Sequence, residues 1–294
     1  MDIGPDQIKA IEHAAHSCGR LAAAVESAGG MASDFLLLRH VVRVHDGSPE
    51  LATQLLLARS SEAHPADAER YDRELGRDGD SLMTAIERAG FHETLGAAAR
   101  AALETIELES ATHESSVLRA AIVAGTIVAP TPGSATAQRA ATLAGALALM
   151  HGGTLPAPWV APWQLDAAAR SAAVQVDRSA SWGEWVRAWC HLLAREATAA
   201  ERALRTATAQ LQDERARVGG QHRVGGTDTQ VLGWLQSHVT FTIRNASDAL
   251  GLTRPTVGTA IERLDALGFA TELTGQRRDR LWVSSTLFGL TGAR

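Results

Sequence analysis

Lysine is nearly missing from this 294-residue chain, which carries Lys9 alone among its 28 basic residues. Basic charge is therefore almost all arginine, and with abundant alanine this fits a GC-rich coding sequence. Cysteine is scarce as well. Cys18 and Cys190 lie far apart without Cys-x-x-Cys spacing, which excludes a disulfide framework and a zinc ribbon and points to a reducing compartment. No apolar run approaches the roughly 18 uninterrupted residues of a membrane span. The opening Met1-Asp2-Ile3-Gly4-Pro5-Asp6 has neither the cationic nor the apolar segment of a signal peptide, so a cytoplasmic protein without membrane contact is expected. Charge of one sign is lacking too: 28 basic against 33 acidic residues leave a net charge of -5. A cationic field over the whole protein is thus excluded, and any polyanion contact must be local. Gly-x-Ser-x-Gly, Walker, dinucleotide and His-Glu-x-x-His motifs are all absent, which disfavours a conventional hydrolase or kinase. No cofactor and no metal site are expected.

What is present is a composition of 45% apolar residues over a length that suits two domains with a sizeable core. The first two-thirds reads as successive helices. Pro5 opens a segment in which Ile8, Ile11, Ala15, Cys18, Ala22 and Val25 alternate at three and four spacing, and Gly29-Gly30 ends it. Ser33 caps a run through Phe35, Leu38, Val41 and Val42, and Ser48-Pro49-Glu50 starts another with Leu51 and Leu55. Shorter pieces are expected over 67–75 and 81–88, and longer helices over 93–109 and 114–128. The prolines of Ala129-Pro130-Thr131-Pro132-Gly133-Ser134-Ala135 break the pattern into a loop. An alanine-rich helix over 136–150 follows, stopped by His151-Gly152-Gly153 and expected to be central. After Trp159 and Trp163 comes a helix over 165–174. Ser181 then caps a long helix reaching about 217 with a kink, and its Trp182, Trp185 and Trp189 make an aromatic stripe suited to anchoring a core.

Gly219-Gly220 and Gly225-Gly226 flank Gln-His-Arg-Val in a flexible composition, read as a linker over 219–226 between domains 1–218 and 227–294. The chain then changes character. An amphipathic helix over 227–237 leads to an extended Phe241-Thr242-Ile243 and a helix over 246–250 closed by Gly251. Thr253 caps the next helix, Pro255 occupies its first turn, and Val257, Ile261, Leu264 and Leu267 form its apolar stripe before Gly268. Strands over 270–274 and 281–284 are joined by Gly275-Gln276-Arg277-Arg278-Asp279-Arg280. This order is that of a winged helix-turn-helix with a β-hairpin wing.

If that module binds DNA, its second helix enters the major groove with Arg254 and Thr256 near its start and Thr259 and Arg263 along it. The hairpin tip offers Gln276, Arg277, Arg278 and Arg280 to phosphates or a minor groove. Glu262 and Asp279 oppose that charge, and a wing used for dimerisation or protein contact is the alternative. Elsewhere, His13 and His16 near Cys18, and His40, His45 and Asp46, lack the spacing of a metal site and read as surface residues. The acidic run Glu93, Glu104, Glu107, Glu109 and Glu114 beside His92 and His113 describes solvated helix faces. Cys190, between Trp189 and His191, reads as a buried packing residue.

The segment Leu252 to Val283, Leu-Thr-Arg-Pro-Thr-Val-Gly-Thr-Ala-Ile-Glu-Arg-Leu-Asp-Ala-Leu-Gly-Phe-Ala-Thr-Glu-Leu-Thr-Gly-Gln-Arg-Arg-Asp-Arg-Leu-Trp-Val, resembles the C-terminal winged helix of many bacterial Fic-family proteins. Those commonly read Ser-x-x-Thr, a leucine-patterned helix, then Thr-Gly-x-x-Arg-x-Arg and an aromatic. Ala180-Ser-Trp-Gly-Glu-Trp-Val-Arg-Ala-Trp likewise resembles the family's Asp-Trp-x-x-Trp stretch, and residues 155–169 sit where the family has its post-catalytic connector. The family's chemistry rests on His-Pro-Phe-x-Asp/Glu-Gly-Asn-Gly-Arg-x-x-Arg. In its place stands Ala129 to Arg139, where Pro130, Gly133 and, with a one-residue gap, Arg139 match. Its histidine, acidic residue and asparagine are missing, so no base takes a hydroxyl proton and no carboxylate holds magnesium. The resemblance therefore implies a mainly α fold, a catalytically silent Fic-like bundle followed by a small winged helix. Gly133, Ser134 and Arg139 remain an anion-binding candidate, with a simple helix cap as the plainer reading.

The function expected from these readings is a transcriptional regulator binding double-stranded DNA. Its helical domain would dimerise, through the heptad-like first helix, or sense a small-molecule or protein effector. The alternatives are a divergent Fic-type AMP transferase, and a protein-interaction module without DNA binding.

Overall fold

A computed structural model describes residues 3–29, 31–32, 35–36, 39, 115–155, 165–176, 182–219, 226–238, 240–275 and 280–291. Most of the helices expected between residues 33 and 109, the histidines at 40 and 45 with Asp46, the Glu93 to Glu114 run, and Trp159 and Trp163 lie outside these residues. The chain divides into two compact units, Met1–Ala23 with Pro65–Glu201 and Ala24–His64 with Arg202–Arg294. On the C-terminal side the second unit thus starts at Arg202, inside a helix and ahead of the Gly-rich stretch 219–226.

In the first unit, α2 (Ser116–Val128) and α3 (Ala135–His151) form an antiparallel hairpin around the proline loop. Its open end is closed where Ser116 meets Thr154 through their hydroxyls. Small residues let the two helices approach, since Ala120, Ala121, Ala124, Ala140, Ala141 and Ala144 are all buried. Glycines of this hairpin receive the tryptophans of α5 (Trp182–Gly219). A Cβ at Gly125 would lie 2.6 Å from Trp185 Nε1 and 2.7 Å from Trp182 Cζ3, and one at Gly145 would collide with the Trp189 ring. The expected aromatic anchor is therefore present: Trp185 and Trp189 are fully buried, with ring centroids 5.7 Å apart, and Trp185 Nε1 donates to the Ala121 carbonyl at 2.7 Å.

Between the hairpin and α5 lies α4 (Ala167–Val176), whose start is capped by Asp166 accepting from the Ala169 N–H at 2.8 Å. Arg195 on α5 bonds the same carboxylate at 2.9 Å. Partial burial works to raise the Asp166 pKa. The Ala169 hydrogen bond, the Arg195 hydrogen bond and charge, and the Ala168 N–H outweigh it and hold the group below the usual carboxylate value.

The first helix, α1 (Pro5–Ala28), buries Ala10, Ala14, Ser17, Cys18 and Leu21. This face is turned away from much of the stripe that the spacing of Ile8, Ile11, Ala15, Ala22 and Val25 picks out, and Ile8 is exposed. The buried face carries Ala10, Ala14 and Ser17, small or polar residues that a search for large apolar side chains passes over. Arg20 reaches the nearly buried Glu201 of α5 at 3.3 Å. His13 and His16 are exposed whereas Cys18 is buried, so the three do not converge, and no metal-holding group of His, Cys, Asp or Glu occurs among the described residues.

Cys18 and Cys190 are both buried free thiols, as the packing role read for Cys190 requires. Burial pushes each from a usual pKa of 9.0 up to about 12, and at Cys190 the neighbouring Cys18 adds to the effect. The folded state thus holds these protons while the unfolded chain releases them. Stability from the neutral thiols is fully present below pH 9.0 and is lost as pH rises toward about 12. Denaturation midpoints measured across that window should fall, and Cys18→Ala with Cys190→Ala should flatten the slope. A thiol reagent should modify neither residue until the protein unfolds.

In the second unit, α6 (Gly226–Ser237) is followed by β1 (Thr240–Thr242), α7 (Ile243–Leu250), α8 (Arg254–Ala266), β2 (Ala270–Glu272), β3 (Leu281–Ser284) and α9 (Ser285–Leu290). The three strands form one antiparallel sheet in the order β1-β3-β2, with Phe241 opposite Trp282 and Thr271 opposite Val283. Ile243, expected in the strand, begins α7 instead, because Thr242 caps the helix by accepting from the Asn245 N–H at 3.2 Å. Strand β2 ends at Glu272, two residues before its expected end, since Glu272 bends back to accept from the N–H groups of Thr274 and Gly275 at 2.7 and 2.9 Å. Helix α9, capped by Ser284, is an element that the sequence pattern does not announce.

The core of this unit gathers Leu232 and Leu235 of α6, Phe241, the α8 stripe Val257, Ala260, Ile261 and Leu264, and Trp282. Val218 from the end of α5 belongs to the same cluster, and Arg217 lies 5.3 Å over the Phe269 ring. The overall composition is mainly helical, and no described helix is long and apolar enough to cross a membrane.

Candidate nucleic-acid interface

Helices α7 and α8 meet through a turn that their sequence dictates. Gly251 takes a left-handed φ of 65°, which favours glycine, and its N–H closes α7 onto the Ser247 carbonyl. Thr253 then caps α8, accepting from the Thr256 N–H at 3.3 Å, and Pro255 sits in the first turn where no donor is needed. One side of α8 is buried through Val257, Ala260, Ile261 and Leu264, so the other must face solvent. Arg254, Pro255, Thr256, Thr259, Glu262 and Asp265 are all exposed there.

Of the residues singled out in the sequence, Arg254, Thr256 and Thr259 are brought together on this face. Arg263 is not available in the same way. Its Nε and Nη2 donate to Asp228 Oδ1 at 3.1 and 2.7 Å, and Asp228, in the first turn of α6, is only 1% exposed. The guanidinium, itself 51% exposed, balances a buried carboxylate and ties α8 to α6, so Arg263 has a structural role. Arg280 is exposed at the entrance to β3, while Gln276, Arg277 and Arg278 lie outside the described residues.

The approach to that hairpin tip is ordered by the hydrogen bonds that Glu272 accepts from Thr274 and Gly275, and by the Thr274 hydroxyl, which accepts from the Leu281 N–H at 3.3 Å. Gly275, at φ 62°, starts the tip. Arg244, in the first turn of α7, is a further exposed cation that helical periodicity alone does not distinguish from any solvated arginine. Opposing charge comes from exposed Asp248, Glu262 and Asp265, so the face is mixed rather than uniformly basic.

The loop of Gly133, Ser134 and Arg139 lies in the other unit. Ser134 Oγ accepts from the Ala137 N–H at 3.3 Å and Gln138 Nε2 donates to the Pro132 carbonyl at 2.8 Å. The serine thus serves as a helix cap, the plainer of the two readings, and Gly133 is exposed.

No protein-family model matches the chain, and no curated protein matches it.

Proposed function

We propose that the C-terminal part of the chain is a winged helix-turn-helix that binds double-stranded DNA, and that the protein is a cytoplasmic transcriptional regulator. The observation that carries this reading is the combination of a glycine-turned α7-α8 pair with a β1-β3-β2 antiparallel sheet, with the side of α8 that carries Arg254, Thr256 and Thr259 exposed. In this reading α8 enters the major groove, Arg254 and Arg244 meet phosphates or base edges, and the wing tip supplies Arg277, Arg278 and Arg280. The larger helical part is a Fic-like domain without the catalytic motif, used for dimerisation or for sensing an effector. Exposed Ile8 on α1 is consistent with a homodimer.

Binding to DNA, measured over a salt series, tests this. Replacing Arg277, Arg278 and Arg280 together by alanine should weaken binding and lower the salt slope by about 0.9 for each phosphate that is no longer neutralised. Arg263→Ala should leave the slope alone and instead destabilise the fold by about 1–3 kcal/mol, since it strips a partner from buried Asp228. No retention of DNA, or a slope unchanged in the triple variant, would overturn the reading. The acidic residues Asp248, Glu262 and Asp265 favour a second reading, in which this surface docks a basic protein partner. Co-purification of such a partner through nuclease treatment would then replace DNA capture.

A further inference from the structure

On the exposed side of α8 the Thr259 hydroxyl proton is already engaged by the helix itself. Thr259 Oγ1 donates to the Pro255 carbonyl at 3.0 Å, and the hydroxyls of Thr256 and Thr253 share one hydrogen bond at 2.7 Å. Thr259 therefore has no proton to give to a ligand; what it presents outward is a lone pair and its γ-methyl group. Pro255, also exposed, adds an apolar ring one turn away. Glu262 farther along accepts only, so Arg254 is the strong donor of this face.

In the major groove, guanine shows two acceptors, whereas an A·T pair shows the adenine amino donor beside the thymine C5-methyl group. At Thr259 a methyl group and a lone pair complement the A·T edge and offer guanine no donor, whereas nearer the helix start Arg254 and the one remaining hydroxyl proton of the Thr253–Thr256 pair can donate. Resting on the DNA-binding reading, we infer that Thr259, with Pro255 and Thr256 beside it, selects sites by packing against thymine methyl groups. Arg254 supplies charged hydrogen bonds at the flank.

The probe is a set of duplexes recovered by the protein from a pool with a randomised centre, resynthesised with deoxyuridine in place of thymidine. Binding should weaken about fourfold for each contacted thymine, the value of one buried methyl group. Thr259→Ser, which removes the methyl and keeps the hydroxyl, should bind the thymidine duplex more weakly and show a smaller preference for it over the deoxyuridine duplex. Thr259→Val, which keeps the methyl, should restore that preference. Equal binding of both duplexes by the unaltered protein, or an undiminished preference in Thr259→Ser, would overturn this inference and leave DNA binding standing. Recovery of no duplex at all would overturn both.

Discussion

Trp189→Ala should destabilise the helical unit by about 3–5 kcal/mol, the range for emptying a buried aromatic site. The residue is fully buried on α5 and its ring occupies the space where Gly145 lacks a side chain. The partner substitution should have a much larger cost in one background than in the other. Gly145→Ala in the intact protein forces a methyl group into the Trp189 ring, an overpacking that costs about 1–3 kcal/mol and exceeds the gain of about 1 kcal/mol in helix propensity. In Trp189→Ala the clash with the ring is gone and only the Ala120 carbonyl, 3.3 Å from the new Cβ, stays close, so the substitution should cost far less. Denaturant titration of the four proteins measures the coupling, and equal effects of Gly145→Ala in both backgrounds would refute the packing of ring on glycine. Trp189→Phe should be far milder than alanine, because Trp189 Nε1 is buried without a hydrogen-bond partner among the described residues and its removal breaks no bond.

The second large effect concerns a buried carboxylate at the end of α5. Glu214 is 2% exposed and accepts from Gln236 Nε2 at 3.0 Å and from the Thr286 hydroxyl. Gln236, buried in α6, also donates to the Leu211 carbonyl at 3.2 Å and accepts from Arg215 Nε. The three helices α5, α6 and α9 are thus joined through one charged group with neutral donors around it. Gln236→Leu should cost about 3 kcal/mol, because it leaves a buried carboxylate short of a donor. Glu214→Leu made in the same chain removes that charge and should recover much of the loss. Thermal melting of the single and double variants tests this; strictly additive losses would mean that the two side chains act independently.

Local chemistry makes much of the second unit legible. Gly251, Thr253 and Pro255 mark the turn and cap because only particular residues satisfy a left-handed φ or an open helix N-terminus, and those needs are met by neighbours in sequence. Val257, Ile261 and Leu264 of the α8 stripe follow from its period, whereas Leu267, expected in the same stripe, is 42% exposed; the hairpin follows from Gly275 between two apolar runs. Arg263 escapes such reasoning. On a helix wheel it stands on the polar side, and nothing in its spacing announces that Asp228, 35 residues earlier, waits buried beside it. The β-branched neighbours of Ile243 suit a strand, yet the Thr242 cap decides for the helix.

What the amino-acid order determined by itself, among the described residues, is the helices other than α9, the Gly251 stop and Thr253 cap, the tryptophan stripe of α5, and the exposed face of α8 with Arg254, Thr256 and Thr259. These rest on interactions within about one turn or one hairpin, which are written into consecutive residues. Tertiary structure alone decided which face of α1 is buried, that Cys18 and Cys190 are neighbours, that Gly125 and Gly145 are seats for tryptophans, and that Arg263 and Glu214 hold helices together. Each of these depends on two segments far apart in the chain meeting at van der Waals or hydrogen-bond distance, and close packing selects such pairs by shape and by the need to partner every buried polar group.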